Sequence, residues 1–379
     1  MQGNTLRMAI RATASAMIVG VAGQASALEL SAGDYTAELY GYARFNAVYD
    51  IDEEISLSTR SGSFEAINVG DAEGNEVSGH FSADAVQTRL GVRTTTPEGV
   101  KVVIEGDFRP GTLRLRHGYG EYKGVLLGQT WSNFGSFVGN TTTLDFDGLP
   151  GLAGFQARIS QARYTTGPLS ISLEEPATSF LAGTTTVDGK QSLPTFTARI
   201  EDSADGLSYS GAILAQQVEF DTGTEDDSVV GFAAFVAGQM ALTDTLTVQG
   251  TVSYTDGANA YLYRSGEEFG AEDAYIDGSG DLESIAGYGG SLGVGMDLGG
   301  GRSANIGYGI VTVDWDDAED DGLAVADKSE TNQAVMANYL WTPAKNVMMG
   351  VEYAYLMREN VSGDDGDANR IMFSGQYNF

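Results

Sequence analysis

Apolar and polar residues alternate with a period of two along almost the whole chain. In 39–49, Leu39, Gly41, Ala43, Phe45, Ala47 and Tyr49 share one parity, and Tyr40, Tyr42, Arg44, Asn46 and Val48 the other. At the far end, Ile371, Phe373, Gly375, Tyr377 and Phe379 alternate with Arg370, Ser374, Gln376 and Asn378. Side chains of a strand point to opposite faces in turn, so each run predicts a strand with one apolar and one polar face. Similar runs lie at 83–96, 100–108, 112–122, 124–131, 156–165, 168–175, 194–201, 207–220, 229–241, 245–256, 286–298, 302–314, 331–342 and 347–359, which makes sixteen strands. A helical period of 3.6 is sustained nowhere.

The connections come in two kinds. Thr96-Pro97-Glu98-Gly99, Thr166-Gly167, 202–206, Leu242-Thr243-Asp244, Gly299-Gly300-Gly301 and 342–346 are tight. The segments 50–81, 132–155, 176–193, 221–228, 257–285, 315–330 and 360–368 are longer and mostly acidic. Short turns at one end and long loops at the other are the plan of an up-and-down barrel in an outer membrane. A soluble β-sandwich also alternates, but its inner face is apolar, and sixteen strands exceed one sandwich. In lipid an open edge would leave backbone groups unpaired at several kcal/mol each, so such a sheet must close. The expected fold is all-β, a transmembrane antiparallel up-and-down barrel of about sixteen strands. One domain, 28–379, carries it, and its terminal Phe379 has the look of the assembly signal of outer-membrane proteins.

The first 27 residues read as an address. Arg7 and Arg11 precede a short apolar stretch, and Ala25-Ser26-Ala27 is an A-x-A cleavage site, so 1–27 is expected to be a secretory signal peptide. Export to the outer membrane of a Gram-negative cell follows. No later stretch holds 18 consecutive apolar residues, which excludes a bundle of transmembrane helices. The chain of 379 residues has no cysteine, so disulfides, thiolate metal sites and cysteine nucleophiles are ruled out. With two histidines, His80 and His117, a multi-histidine metal site is not expected, and no cofactor is implied. A formal charge of −31 argues against nucleic acid as a partner.

Against that acidity, 89–123 holds seven basic residues and four acids. Parity turns Arg89 and Arg93 inward opposite Leu90 and Val92. It turns Glu105 and Asp107 inward opposite Ile104 and Phe108, and Arg114 and Arg116 inward opposite Leu113, Leu115 and Tyr119. Arg44 is inward by the same rule. An arginine facing lipid at the midplane would cost about 2–4 kcal/mol, which supports this assignment. Arg44, Arg89, Arg93, Arg114 and Arg116 thus form a row on one stretch of lumen wall. It reads as a guide for anions, since guanidinium groups grip carboxylates bidentately. It reads also as a set of structural ion pairs with Glu38, Glu105 and Asp107, and the two readings are compatible. The loop 132–155 carries Asp145 and Asp147 among Phe134, Phe137 and Phe146. Folded into the lumen, it would constrict the pore and set two acids against the arginine row, and an ordinary surface loop is the alternative.

The acidic loops read first as a solvated face. A second reading is divalent cation binding that bridges to lipopolysaccharide. Asp317, Glu319, Asp321 and Gly322 begin like a calcium loop, but Lys328 stands where a glutamate is required. No G-x-S-x-G or H-E-x-x-H motif is present, and parity puts His117 on the lipid face with Leu115, so no catalysis is expected.

The run Gln87-Thr88-Arg89-Leu90-Gly91-Val92-Arg93-Thr94 resembles the DcaP-like outer-membrane porins. So do Ile104-Glu105-Gly106-Asp107-Phe108, 113–121 with Arg114 and Arg116, and Leu127-Gly128-Gln129-Thr130-Trp131-Ser132. Asp145-Phe146-Asp147-Gly148 resembles the segment that follows in that family. The resemblance is specific over 87–165 and implies a sixteen-stranded, usually trimeric barrel. It implies uptake of small organic anions such as dicarboxylates and aromatic carboxylates, with Arg89, Arg93, Arg114 and Arg116 as selectivity residues. Some members carry a helical periplasmic segment ahead of the barrel, whereas here only 28–34 precede the first predicted strand. The expected function is passive diffusion of organic anions through an outer-membrane porin. A weakly cation-selective porin governed by the loop carboxylates, and a barrel acting mainly as adhesin or structural element, stand beside it.

Overall fold

A computed structural model of the chain describes residues 28–32, 35–75, 77–109, 111–267 and 269–379. The signal-peptide reading of 1–27 lies outside them. The described chain is a closed antiparallel barrel of sixteen strands. In order they are β1 Tyr35–Asp50, β2 His80–Asp84 with Arg89–Thr95, β3 Lys101–Asp107, β4 Arg114–Tyr122, β5 Val125–Thr130, β6 Ile159–Thr166, β7 Leu169–Glu174 and β8 Thr195–Ala204. They continue as β9 Leu207–Asp221, β10 Asp226–Ala241, β11 Leu246–Asp256, β12 Ala286–Asp297, β13 Arg302–Val313, β14 Ser329–Ala344, β15 Val347–Asn360 and β16 Asp365–Asn378. Each of the sixteen predicted runs is a strand.

The barrel closes where β1 pairs with β16, from Tyr42↔Asn378 to Asp50↔Arg370. Gly41 and Phe379 exchange backbone hydrogen bonds at 3.3 and 3.1 Å, so the terminal residue belongs to the closing seam. Below it, Leu28–Ala32 pairs with the start of β1, and 28–34 is therefore partly strand. The second strand is broken at 85–88: its halves pair with Asn46–Asp50 and with Thr36–Tyr42. At the break the Arg44 amide donates to Thr88 Oγ1 at 3.1 Å, which replaces a lost ladder bond.

Outward side chains are apolar and exposed, with Tyr49, Tyr164, Tyr254, Tyr288, Phe373 and Tyr377 among them. The lower ends meet in tight turns and the upper ends carry the loops. Two upper connections depart from expectation. Phe108–Leu113, absent from the predicted loop set, is a short link. The supposed loop 221–228 is a tight hairpin, because β9 and β10 stay paired out to Asp221↔Asp226.

Three of the longer loops turn inward. Loop 132–155 runs along the inner wall of β11–β13, where glycines admit its backbone. A Cβ on Gly309 would lie 2.5 Å from the Pro150 carbonyl oxygen, and one on Gly293 only 1.8 Å from Thr141 Oγ1. Loop 51–79 buries Ile55, Phe64 and Ile67 against Leu149, Met336 and Leu356. Loop 257–285 adds Tyr261 to a cluster with Phe134 and Phe235. Its strands Ala274–Ile276 and Leu282–Ser284 join Ser179–Ala182 and Thr185–Asp188 in a small sheet over the barrel mouth.

Candidate functional site: the arginine wall and the inward loop

The fourth strand decides what faces the lumen. Opposite Glu105 stands His117, but opposite Gly106 stands Leu115, so Arg116 is an extra residue in a β-bulge. The bulge reverses the parity of everything below it. Arg114 and Arg116 both point inward, as their contacts with Asp107 show. His117 and Tyr119 do too, which corrects the expectation that they face lipid. His117 Nδ1 lies 2.9 Å from Thr130 Oγ1, and its ring meets the Trp131 ring edge-on at 6.3 Å. On the outer side the Gln129 amide donates to the Leu115 and Arg116 carbonyls at 3.4 and 3.2 Å, which satisfies the kinked backbone.

The five arginines predicted from parity lie in one neighbourhood. Arg114 grips Asp107 through Nε at 2.7 Å and Nη2 at 3.3 Å. Arg116 donates to Glu105 at 3.0 Å and to Asp107 at 2.9 Å. Arg89 approaches Glu105 at 4.0 Å and lies over the Tyr42 ring. Arg93 pairs with Glu38 lower on the wall. Arg44 has no carboxylate partner among the described residues; it donates to Asn46 Oδ1 at 2.9 Å and to the Leu144 carbonyl at 3.1 Å. Much of the row is thus ion-paired.

The inward loop meets this wall at Phe146. Four guanidinium carbons surround that ring: Arg60 at 4.5 Å, Arg116 at 5.5 Å, Arg89 at 5.6 Å and Arg158 at 5.7 Å. The flanking acids tie loops together. Asp147 pairs with Arg60 of loop 51–79. Asp145 accepts from the amides of Gly62, Asp147 and Gly148 at 3.2, 2.9 and 3.2 Å, with Arg264 at 3.9 Å. Asp145 is enclosed by these donors and 3% exposed, so it does not line the lumen.

Polar residues of the barrel wall hold the loop by its backbone. Glu352 accepts from the Leu144 and Asp145 amides, both at 2.7 Å, and Asn338 donates to the Thr142 carbonyl at 2.7 Å. Glu174 accepts from Asn133 N at 2.7 Å and from Ser132 Oγ at 2.6 Å. Beneath the loop is a vestibule of about 870 Å³, lined by Trp131, Phe137, Phe155, Arg163, Arg199 and Tyr263 and reaching the lower turn at Asp205-Gly206.

Away from the wall, loop 257–285 holds a buried acid. Asp273 accepts from the Ala260 and Ser179 amides at 3.1 and 3.0 Å, and burial pushes its carboxyl up to about 7. The stretch from Asp317 to Gly322 is mostly the short helix Asp316–Asp320, and Asp321 accepts from the Tyr275 hydroxyl at 2.8 Å. Among the described residues no group of three or more His, Asp or Glu is placed to hold a metal ion.

Sequence reasoning did not single out Arg60, Arg158, Arg163, Arg199, Arg264, Glu174 or Glu352. Parity alone places Arg163, Arg199, Glu174 and Glu352 inward, opposite Tyr164, Ile200, Leu173 and Val351. No periodic signal marks Arg60 or Arg264, which lie in loops, and Arg158, inside the predicted run 156–165, sits just before β6, where strand parity does not hold.

Arg116 and its partners are shielded, with side-chain exposure of 3% for Arg116 and 2% for Asp107, whereas Arg93 is 54% exposed. Arg116→Ala should therefore destabilise the barrel by about 3–5 kcal/mol, and Arg93→Ala by less than about 1 kcal/mol. Thermal unfolding in detergent measures both, and equal losses would contradict the pairing described.

The sequence model of the family described as DcaP outer membrane protein matches residues 22–379. Among solved structures, the outer membrane channel DcaP of Acinetobacter baumannii is 27% identical with a TM-score of 0.79, over 92% of this chain and 99% of that one. The anion-selective porin from Comamonas acidovorans is 12% identical with a TM-score of 0.55, over 91% of this chain and 100% of that one. Salmonella typhi OmpF is 12% identical with a TM-score of 0.57, over 93% and 100%. These last two share the fold alone. No curated protein matches the chain in sequence. A closed barrel with a polar lumen and a family match over nearly its whole length make this chain a member of the DcaP outer membrane protein family, a channel of the Gram-negative outer membrane.

Proposed function

We propose that the channel passes small organic anions, dicarboxylates among them, down their gradient between the arginine wall and loop 132–155. What carries the reading is a charge imbalance. Among the described residues, Arg44, Arg89, Arg93, Arg114, Arg116, Arg158 and Arg163 have only three carboxylates within ion-pairing distance: Glu38, Glu105 and Asp107. The wall keeps a surplus of cations in a chain of formal charge −31. That total charge favours a second reading, a cation-selective pore governed by its loops. Exposed loop charges act over a screening length of about 8 Å in physiological salt, so the groups at the narrowest point weigh most. In proteoliposomes succinate should enter several-fold faster than putrescine, a dication of similar length. Faster entry of putrescine would favour the loop-governed pore.

The same reading includes a homotrimer with its low wall at the centre. Strands β5 and β7 have six residues each, and β3 has seven, against sixteen in β10 and β14. Six residues at about 3.4 Å each, tilted by about 40°, rise roughly 16 Å, short of the roughly 25 Å apolar band of such barrels. Yet the low wall turns Ile104, Leu113, Leu115 and Leu127 outward, all more than half exposed. Other copies of the chain would cover that side. Leu127→Asp should convert a trimer band on unheated gels to monomer, and a trimer that survives this change would place the contact elsewhere.

A further inference from the structure

One arginine stands on the lipid side of the barrel. Arg302 is the first residue of β13, and by parity it shares the outer face with the exposed Ile306 and Tyr308. Among the described residues, no other lysine or arginine within the sixteen strands faces outward. We propose that Arg302 and the aromatic groove beside it bind an anionic phospholipid of the inner leaflet, with its phosphate on the guanidinium and an acyl chain along the groove. This goes beyond the channel function and holds whichever ions the pore prefers.

Two turns at the lower rim build the groove. Gly299, Gly300 and Gly301 all have φ between 63° and 73°, a path open to glycine. The turn offers two carbonyls to Arg302, which donates from Nε to Gly299 at 3.0 Å and from Nη2 to Leu298 at 3.5 Å. The guanidinium is thereby held, and among the described residues no carboxylate lies within ion-pairing distance of it. Asp297, at the start of the turn, accepts instead from the Gly299 amide at 2.8 Å. Across the ladder Arg302 pairs with Trp341 and Ala304 with Tyr339, so both rings stand on the outer face beside the cation. The two rings stack with centroids 5.7 Å apart. Just beyond them β14 carries an extra residue against β15, between Trp341 and Ala344, where Pro343 has no amide to give the ladder. Thr342 and Pro343 thus join Arg302, Tyr339, Trp341 and Val351 around a groove of about 630 Å³. Thr342 Oγ1 is shielded from solvent and has no hydrogen-bond partner in the protein.

Position and charge choose the occupant. The tight turns mark this rim as periplasmic, so the leaflet it meets is the inner one. Strand β14 has sixteen residues and lies across the barrel from the six-residue strands β5 and β7, the side proposed to face other copies. In that trimer lipid covers the groove. Arginine presents a phosphate with paired N–H donors in one plane, and Thr342 adds a hydroxyl. Trp and Tyr settle at the headgroup level, where one end of the ring is apolar and the other wet. A zwitterionic headgroup brings an ammonium that competes for its own phosphate, and the groove has no carboxylate to hold it. An anionic headgroup such as that of phosphatidylglycerol has no such competitor.

Trp341 reports on the site directly. The other two tryptophans are elsewhere: Trp131 lines the vestibule and Trp315 is buried in a loop cluster. The full-length channel is reconstituted into phosphatidylcholine vesicles with a rising share of phosphatidylglycerol. One lipid or the other carries bromine on its acyl chains, and quenching of Trp341 is read. Phosphatidylglycerol should occupy the groove about fivefold more readily than phosphatidylcholine, the worth of one cation near an anionic headgroup. Arg302→Gln should bring the two lipids to parity. Lys345→Gln removes an exposed cation from the neighbouring turn and should leave most of the preference. Heat-shifted migration on gels shows that each variant has folded. A wild-type channel without preference, or a preference that survives Arg302→Gln, would overturn the site. Equal losses in the two variants would overturn it too, in favour of diffuse attraction to the rim. Trp341 fluorescence untouched by either brominated lipid would mean that protein covers the groove, and would overturn the lipid assignment.

Discussion

No backbone group can stay unpaired in lipid, where each would cost several kcal/mol, and that constraint organises the molecule. It closes the sheet between β1 and β16 and draws Phe379 into the seam. Contact with lipid likewise makes most outward positions apolar, so charged side chains gather on the inner face. The lumen consequently receives most of the charged set, and these residues do two jobs. Glu352, Asn338 and Glu174 hold the backbone of loop 132–155, which would otherwise bring its own unpaired amides into the barrel. The arginine row stands on the β1–β4 side. Glycines on β12 and β13 complete the arrangement by letting the loop lie close to the opposite wall.

The arginine row is a balance of charges rather than a bare ladder. Arg116, at the bulge, bridges Glu105 and Asp107, and Arg114 shares the second of these. Such pairs fix the geometry of the wall, because a buried carboxylate without its cation is expensive. In the proposed anion path, selectivity rests on the cations left over. Arg44 and Arg158 are the two that meet the inward loop without a carboxylate of their own, one at the Leu144 carbonyl and one at the Phe146 ring. The wall is thus mostly neutralised and still keeps these two cations beside the inward loop.

The barrel was legible in the chain because alternation is a local property, readable strand by strand. The same parity found Arg44, Arg89, Arg93, Arg114 and Arg116. It failed at His117 and Tyr119, since a single extra residue at Arg116 shifts the pattern without any mark in the composition. It misjudged 221–228, where the acids Asp221, Asp226 and Asp227 looked like a loop but lie at the end of a long hairpin. It could not reach Arg60 or Arg264, whose positions depend on where the loops fold inside a closed wall, and it does not hold at Arg158, just ahead of β6. Asp145 illustrates the difference. Its place in loop 132–155 was apparent, but its three backbone donors come from two loops that only the fold brings together.

An acidic mouth and a basic wall pull selectivity in opposite directions, and the account gives the decision to the wall. The zero-current potential of the wild-type channel under a potassium chloride gradient reads that decision directly. The account predicts a sign that shows chloride crossing more readily than potassium. A potential of the opposite sign would mean that the loop carboxylates govern the pore, and would contradict the arginine pathway at its root.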